Sequence, residues 1–236
     1  MKPRHLLLAA AVLSATSFVN ATPVKYEFVG THFAEVNATD LSLVSDYLFT
    51  DGTVVNASFF YDSNTPALLS NQVDSGDLQP FGLLSIYANS TSNISGSIDG
   101  YSFSADTGTT IVGNSNVGDA TFLDGVFNIA GTINGDVVGT GFSGFELNGY
   151  TLTSSNIFSV GFNDYLADQS LPATLTNGPL NTGLNLIFAD ANHNERIVQF
   201  FGGDIKPVAS VPEPSPLWLL MAGMLGLFGF SRYRKI

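Results

Sequence analysis

Short apolar runs separated by clusters of Gly, Ser, Thr, Asn and Asp fill the chain between Thr22 and Ser210. Over Ile94–Ile98 every second residue is Ile or Gly, with Ser between them. The same alternation returns over Tyr101–Ala105, after Asp99-Gly100. A period of two predicts strands with one buried and one solvated face. The clusters of Gly and polar residues recur at intervals of roughly ten residues, which is typical of an all-β sandwich or barrel.

Dipeptides that favour tight hairpins separate many of these runs, because both central residues of such turns need positive φ. They are Asp51-Gly52, Asp99-Gly100, Asp124-Gly125, Asn134-Gly135 and Asn148-Gly149. Enrichment in Phe, Val, Ile and Thr predicts further strands at Val24–Val29, Thr53–Tyr61, Leu83–Ala88, Thr109–Gly113, Phe127–Thr132, Asp136–Thr140, Gly144–Leu147, Thr151–Ser155, Ile157–Gly161, Leu184–Ala189 and Arg196–Phe201. A turn of helix is expected only at Asp40–Phe49 and Phe162–Ser170. We therefore expect an all-β, antiparallel β-sandwich of jelly-roll-like type over residues 22–202, followed by a Pro-rich linker over 203–216.

The first 21 residues have the pattern of a secretory signal peptide. Lys2 and Arg4 precede an apolar run over Leu6–Leu13, and small residues lead up to Ala21. This order of charged, apolar and small residues predicts cleavage between Ala21 and Thr22. We therefore expect export through the Sec translocon and removal of residues 1–21 by signal peptidase.

An apolar segment and a basic tail end the sequence. The 14 residues Leu217–Phe230 are uncharged, fewer than the ~20 that comfortably span a hydrocarbon core. Trp218 stands where interfacial aromatics anchor a span, and basic residues follow as in a cytoplasmic tail: Arg232, Arg234 and Lys235. We expect a short C-terminal transmembrane helix over 217–231 and a basic cytoplasmic tail over 232–236. A permanent single-pass anchor with a Pro-rich stalk is the alternative.

Val211-Pro212-Glu213-Pro214, the apolar segment and the basic end together resemble the PEP-CTERM sorting signal of Gram-negative bacteria. The resemblance covers the last 26 residues, Val211 to Ile236. It implies that the chain is held transiently in the inner membrane and cut near the motif by exosortase, a membrane-embedded cysteine protease. It also implies release or transfer to the cell surface, usually in species that make exopolysaccharide. Prolines in the motif favour an extended form that a protease cleft can bind.

The composition narrows the classes of function. The chain has no Cys, which excludes a disulfide scaffold, a zinc ribbon and a thiol nucleophile. Its formal net charge of −12 argues against nucleic-acid binding. Five of the eight basic residues lie in the two terminal segments, so residues 22–210 hold 3 basic and 19 acidic side chains, a formal charge of −16. Such a body favours diffuse cation binding and neutral glycans over anionic ones.

The motifs in residues 22–210 that could form a catalytic or nucleotide-binding site are weak matches. Gly139–Gly144 spells G-x-G-x-x-G, but a strand and a turn follow it where a dinucleotide site needs a helix. His32 and His193 lie near Glu35 and Glu195 without the spacing of a zinc or serine hydrolase. We interpret both histidines as turn residues or satisfied surface residues.

Acids and aromatics leave two further alternatives open. The body has four Glu, at positions 27, 35, 146 and 195, and a carboxylate pair for glycoside cleavage is invisible in sequence. Oxygen-rich loops at Asp62–Asn64, Asp74–Asp77 and Asn114–Asp119 make calcium a candidate ligand, although none is an EF-hand. Several tyrosines are available as sugar platforms, although at strand spacing they are more often core: Tyr47, Tyr61, Tyr87, Tyr101, Tyr150 and Tyr165.

These patterns predict an exported protein with no enzymatic activity and no cofactor, which acts as a structural or interaction protein at the cell surface or in a polysaccharide matrix. The alternative is a secreted hydrolase of polysaccharide or a carbohydrate-binding module. Exosortase, the membrane and exopolysaccharide are the expected partners, and nucleic acid is not.

Overall fold

The computed structural model describes residues 22–73, 83–114, 123–131, 140–162, 165–178 and 180–209. The strands within these ranges are β1 (Val24–Asn37), β2 (Val54–Tyr61), β3 (Leu69–Val73), β4 (Leu83–Ile98), β5 (Tyr101–Asn114), β6 (Leu123–Gly131), β7 (Glu146–Leu147), β8 (Tyr150–Phe162), β9 (Asn181–Ala189) and β10 (Glu195–Pro207). All ten belong to one antiparallel sheet. The all-β prediction is therefore confirmed.

Eight of these strands close into a barrel. They follow each other in the order β2, β1, β10, β9, β8, β6, β5 and β4, and β4 pairs again with β2. The closing ladder runs from Val55 opposite Ile98 to Tyr61 opposite Thr91. β3 lies beside the first half of β4, and β7 pairs with β8.

The expected jelly-roll-like β-sandwich is wrong. A sandwich has two sheets that face each other, whereas the pairing of β1 with β10 joins the first and last strands into one wall. The described residues contain no helix, so the turns of helix expected at 40–49 and 162–170 are wrong where the structure describes them. β10 runs through to Pro207, so the first part of the segment assigned to the linker lies in the sheet.

The C-terminal transmembrane helix that formed part of the expected fold has no counterpart among the described residues. Within the described ranges, no helix is long and apolar enough to cross a membrane. Residues 217–231, to which the helix was assigned, lie outside those ranges.

Two predicted hairpins have the backbone that their dipeptides favour. Asp99 and Gly100 have φ of 45° and 83°, and Asn148 and Gly149 have φ of 53° and 81°. These values match the paired positive φ of a type I′ turn. Asp124-Gly125, by contrast, lies inside β6. A dipeptide of this type therefore marks a turn only where the flanking strands can pair with each other.

Large apolar side chains fill the barrel. Along β2 the buried residues alternate with more exposed ones, and Phe59 and Tyr61 are 1% and 2% exposed. Rings from other strands meet them inside the wall, as Tyr26 does by stacking on Phe59 with centroids 5.9 Å apart. Burial of such a side chain stabilises the fold by about 1.5–3 kcal/mol. The interior is thus a packed core.

Two loops close the ends of this barrel. The first closing loop, residues 38–53, joins β1 to β2, and the second closing loop, residues 165–178, lies between β8 and β9. The strand directions place the two loops at opposite ends. Each inserts an apolar side chain into the core, Phe49 from the first and Leu175 from the second, both 4% exposed.

Candidate functional site

The sequence places the sorting and cleavage residues at the two ends of the chain. Val211, Pro212, Glu213 and Pro214, together with Ala21, Trp218, Arg232, Arg234 and Lys235, lie outside the described residues. Thr22, expected as the first residue after signal-peptide cleavage, is described and exposed, two residues before β1. The described residues nearest to them lie where the chain enters and leaves the barrel.

The two ends of the body leave the barrel side by side. Tyr26 of β1 lies opposite Pro207 of β10, and the Val208 amide donates to the Lys25 carbonyl oxygen at 2.8 Å. This is the end covered by the second closing loop, since Leu175 N donates to the Tyr26 hydroxyl at 3.0 Å. The segment with the sorting residues therefore starts next to the beginning of β1 and that loop.

At the opposite end, a buried ion pair holds the first closing loop. Glu35 of β1 is fully buried, and its Oε2 lies 3.4 Å from Arg196 Nη1 of β10. Its Oε1 accepts a hydrogen bond from the Phe49 amide at 2.9 Å. Arg196 also donates to the carbonyl oxygen of Asp46 at 2.7 Å and contacts the Asp46 carboxylate. Both charged groups thus bind the first closing loop.

His32 lies beside this pair with a fully buried ring. Its Nε2 is 3.5 Å from Glu35 Oε1 and its Nδ1 is 3.8 Å from the exposed Asp51 carboxylate. Neither ring nitrogen has a hydrogen-bond partner in the described part of the chain. The ring packs edge-on against Tyr47 and Phe200, with centroids 5.5 Å and 5.8 Å away. The expectation of a turn or satisfied surface histidine is therefore wrong for His32, which lies within β1 as a ring packed beside an ion pair.

Tyrosine hydroxyls hold the second closing loop. The Tyr61 hydroxyl donates to the Pro172 carbonyl oxygen at 2.8 Å, and the Tyr87 hydroxyl donates to the Gln169 carbonyl oxygen at 2.6 Å. Burial raises the pKa of both phenols. Asp124, which is 1% exposed, accepts from the Leu166 amide at 3.0 Å. These buried polar groups therefore serve loop backbone.

Several exposed acids cap their own turns. Asp190 accepts from the Asn192 and Asn194 amides at 2.8 Å and 2.9 Å, and the hydrogen bonds from Asn194 lower its pKa. Asp40 is bound in the same way by Ser42, whose hydroxyl lowers the pKa of that carboxyl. Such local capping is the usual role of Asp in turns.

The described residues of the oxygen-rich loops do not form a preformed site for calcium, the candidate ligand. Asp62 Oδ1 accepts from the Asn64 amide at 2.9 Å, Asn114 Nδ2 donates to the Leu166 carbonyl oxygen, and residues 74–77 and 115–119 lie outside the described ranges. No group of three or more His, Asp or Glu suited to a metal ion occurs among the described residues. Calcium binding stays a prediction.

The remaining sequence candidates scatter over the barrel. In the glycine motif, Ser143 bridges to Ser104 and no helix follows among the described residues. His193 sits in the turn before β10 with φ of 62°. Tyr61 and Tyr87 are core residues, Tyr165 bonds Ser159, and Tyr150 lies under the Arg196 guanidinium at 4.5 Å. Tyr47 and Tyr101 are the exposed ones, at 41% and 37%.

Sequence reasoning missed the pairing of Glu35 with Arg196. A usable signal existed, since Arg196 is one of only three basic residues between positions 22 and 210. A lone cation within an apolar strand pattern needs an acid when it is buried. The acid that Arg196 contacts is determined by the pairing of β10 with β1. The local sequence pattern does not predict that pairing.

Comparison with known proteins concerns the C-terminal end of the chain. The family model of the PEP-CTERM protein-sorting motif matches residues 210–235. None of the curated proteins and none of the solved structures matches the chain. The resemblance seen in Val211–Pro214 and the residues after it is therefore confirmed, and it concerns sorting.

Proposed function

We propose, from the PEP-CTERM protein-sorting motif that this chain carries at residues 210–235, that exosortase cuts the exported chain near Pro212–Pro214 and delivers its barrel to the cell surface or to an extracellular polysaccharide matrix. There the barrel acts without catalysis, as a structural or interaction protein. The motif implies export, exosortase processing and membrane-anchored sorting to the cell surface. The single observation that carries the proposal is this motif at the end of a chain with an N-terminal export pattern.

The use of the described acids supports a non-catalytic role. Glycoside cleavage needs two carboxylates about 5–9.5 Å apart that flank a substrate. Glu35 is buried with both oxygens engaged by Arg196 and Phe49. A surface groove of about 430 Å³ over β1, β2 and β4 has Glu27 as its acid, among serines and Asn56. One exposed carboxylate in a hydroxyl-lined groove does not make an acid and base pair.

Incubation of the secreted chain with the polysaccharide of its own host tests the non-catalytic part. We expect no release of reducing ends above a buffer control, and the same result for Glu35→Gln and Glu27→Gln. Release by the native chain that either substitution abolishes would establish a hydrolase and overturn this part of the proposal.

The sorting part has a separate test in cells. Glu213→Ala removes the charged residue of the motif without touching the described barrel, and we expect the variant to stay with the membrane fraction. Glu195→Ala, an exposed Glu of the barrel, is the matched control and should be delivered like the native chain. Equal delivery of both variants would contradict a role for the motif.

A further inference from the structure

A groove runs along the outside of β2, between the two strands that flank it in the wall. It has a volume of about 430 Å³. β2 pairs with β1 on one side and with β4 on the other. The side chains that face the groove are Glu27 and Val29 of β1, Asn56 and Ser58 of β2, and Ser95 and Ser97 of β4. We call these six residues the outer groove.

The strand alternation directs the groove side chains away from the core. Phe28, Ala57 and Ile98, each next in sequence to a groove residue, belong to the interior core. Val29 is 52% exposed, whereas Phe28 is fully buried. Ser58 is half-buried, and the other groove residues are exposed. The groove is therefore an open surface of the barrel.

The register of the two ladders arranges the side chains as a grid of two rows across three strands. The rows are Glu27, Ser58 and Ser95, and Val29, Asn56 and Ser97. Neighbouring strands lie ~4.8 Å apart, and residues two apart in one strand are separated by ~6.8 Å. The grid therefore covers about 10 Å across the strands and about 7 Å along them, and a ligand with a repeating structure can lie on it.

The polar groups of the grid both donate and accept hydrogen bonds. The serine hydroxyls and the Asn56 amide have both capacities, whereas the Glu27 carboxylate only accepts. The hydroxyls of Ser58 and Ser95 hydrogen bond to each other at 3.1 Å, and that bond leaves each oxygen with a lone pair that can accept from a ligand. Val29 adds an apolar contact at the edge. A ligand that fits the grid carries many hydroxyls beside C–H surface, which is the chemistry of a sugar ring.

The charges around the groove cancel locally. Lys25 Nζ lies 3.1 Å from Glu27 Oε1, and on the next strand Lys206 Nζ lies 2.8 Å from Asp204 Oδ2. Lys206 and Asp204 lie opposite Glu27 and Val29 in the ladder of β10 with β1. Two of the three basic residues between positions 22 and 210 are therefore beside the groove, each paired with an acid. The body, with its formal charge of −16, repels an anionic polymer, and neither lysine is left unpaired to attract one.

We propose that the outer groove is the binding site of this protein for an uncharged polysaccharide, which lies across β1, β2 and β4 and is held by hydrogen bonds without being cleaved. The inference rests on the proposed function in one respect, the delivery of the barrel to a polysaccharide matrix. Each hydrogen bond contributes little net free energy, because water competes for the same groups. A polymer presents the same sugar units many times, which raises the apparent affinity through multivalency. The groove therefore suits attachment to a polymer better than capture of a single sugar.

Affinity electrophoresis of the purified native protein tests the groove. The polysaccharide of its host is separated by anion exchange into a neutral and an acidic fraction, and each fraction is cast into native gels at several concentrations. The groove variant combines Asn56→Val with Ser97→Val, which removes the hydrogen-bonding groups of one row and places β-branched side chains at exposed strand positions. The matched control combines Ser102→Val with Ser104→Val, two exposed serines of the neighbouring strand β5. Thermal unfolding verifies that both variants are folded.

We expect the neutral fraction to retard the native protein and the control with dissociation constants within about twofold of each other. The groove variant should bind at least about tenfold more weakly, because several hydrogen bonds to the polymer are lost. The acidic fraction should retard none of the three proteins. The proposal is overturned if the neutral fraction does not retard the native protein, if the acidic fraction retards it more strongly, or if the groove variant and the control lose affinity equally.

The outcome for the groove is separable from the outcome for the proposed function. Delivery is measured in cells with Glu213→Ala, and the absence of catalysis is measured as released reducing ends. A protein that is delivered and does not cleave, yet is not retarded by the neutral fraction, would contradict the groove inference alone. Failed delivery would contradict the sorting proposal, while retardation of the purified protein would still be measurable.

Discussion

At the scale of the residue, Glu35 decides whether the first closing loop is attached. It accepts the Phe49 amide with one oxygen and meets Arg196 with the other, in a place where water does not reach either atom. A buried ion pair of this kind adds little stability compared with apolar residues of similar volume. Removal of one partner, however, leaves the other charge buried without a partner. The pair therefore specifies where the loop sits.

Glu35→Ala should destabilise the fold by about 3–5 kcal/mol, because Arg196 stays buried without its partner. Glu27→Ala, which removes an exposed Glu paired with Lys25, should cost less than about 1 kcal/mol. Urea unfolding measures both, and hydrogen exchange of the Phe49 amide reports the loop directly. Equal effects of the two substitutions would contradict a buried role for Glu35.

Ionisation of the buried Tyr61 phenol should lower the free energy of unfolding at alkaline pH. Burial raises the pKa of its phenol, so the folded chain keeps a proton that the unfolded chain releases near its ordinary pKa of about 10. The stabilisation is fully present below that pH and is lost as the pH rises above it.

Tyr61→Phe should therefore show a shallower loss of stability between pH 9 and 11, about the range where a free phenol titrates, although the variant starts lower by about 1 kcal/mol because it lacks the bond to Pro172. Urea midpoints across the pH series give both quantities. Tyr47→Phe, at a 41% exposed position, is the control and should keep the native slope. Parallel slopes for the native chain and Tyr61→Phe would refute the prediction.

At the scale of the element, glycines make room for rings within the wall. A Cβ at Gly96 of β4 would overlap the ring of Phe103, which lies on the neighbouring strand β5 and is 3% exposed. The ring cannot withdraw, because the interior around it is filled by side chains of the other strands.

Gly96→Ala should lower stability by about 1–3 kcal/mol through overpacking. Ser95→Ala, one residue away on the outer face, should be close to neutral. The double variant Gly96→Ala with Phe103→Leu should recover part of the loss, because the smaller side chain vacates the space. Thermal unfolding of the four chains checks this, and an absence of recovery would show that the cost arises elsewhere.

Most strands could be predicted from the sequence, because alternation and β-branched or aromatic enrichment are local properties. The segments Leu83–Ala88 and Ile94–Ile98 were separate predictions, yet they form one strand, β4, with register shifts around Asn89, which has φ of 57°. A bulge of this kind interrupts the alternation without ending the strand. Local patterns therefore give the existence of strands better than their length.

At the scale of the whole molecule, the closure of the sheet into a barrel could not be predicted from the sequence. Both a sandwich and a barrel bury alternate residues of each strand, and they differ only in whether the last strand pairs with the first. That pairing joins Tyr26 to Pro207, residues at opposite ends of the body. The sorting motif, by contrast, is contiguous and could be recognised directly from Val211–Pro214 and the residues that follow.

Closure also determines how the barrel is presented. The Val208 amide donates to the Lys25 carbonyl oxygen, so the chain enters and leaves the barrel at the same end. The first closing loop and its ion pair lie at the other end.

The central claim is processing at the PEP motif of an exported chain. Its most direct test is the intact mass of the mature protein from otherwise identical cells with and without exosortase. With exosortase, we expect a chain that begins at Thr22 and ends near Pro212–Pro214, without residues 217–236. Without exosortase, the same N-terminus should be joined to the full C-terminal end. If Lys235-Ile236 is still attached in both strains, the account of sorting is wrong.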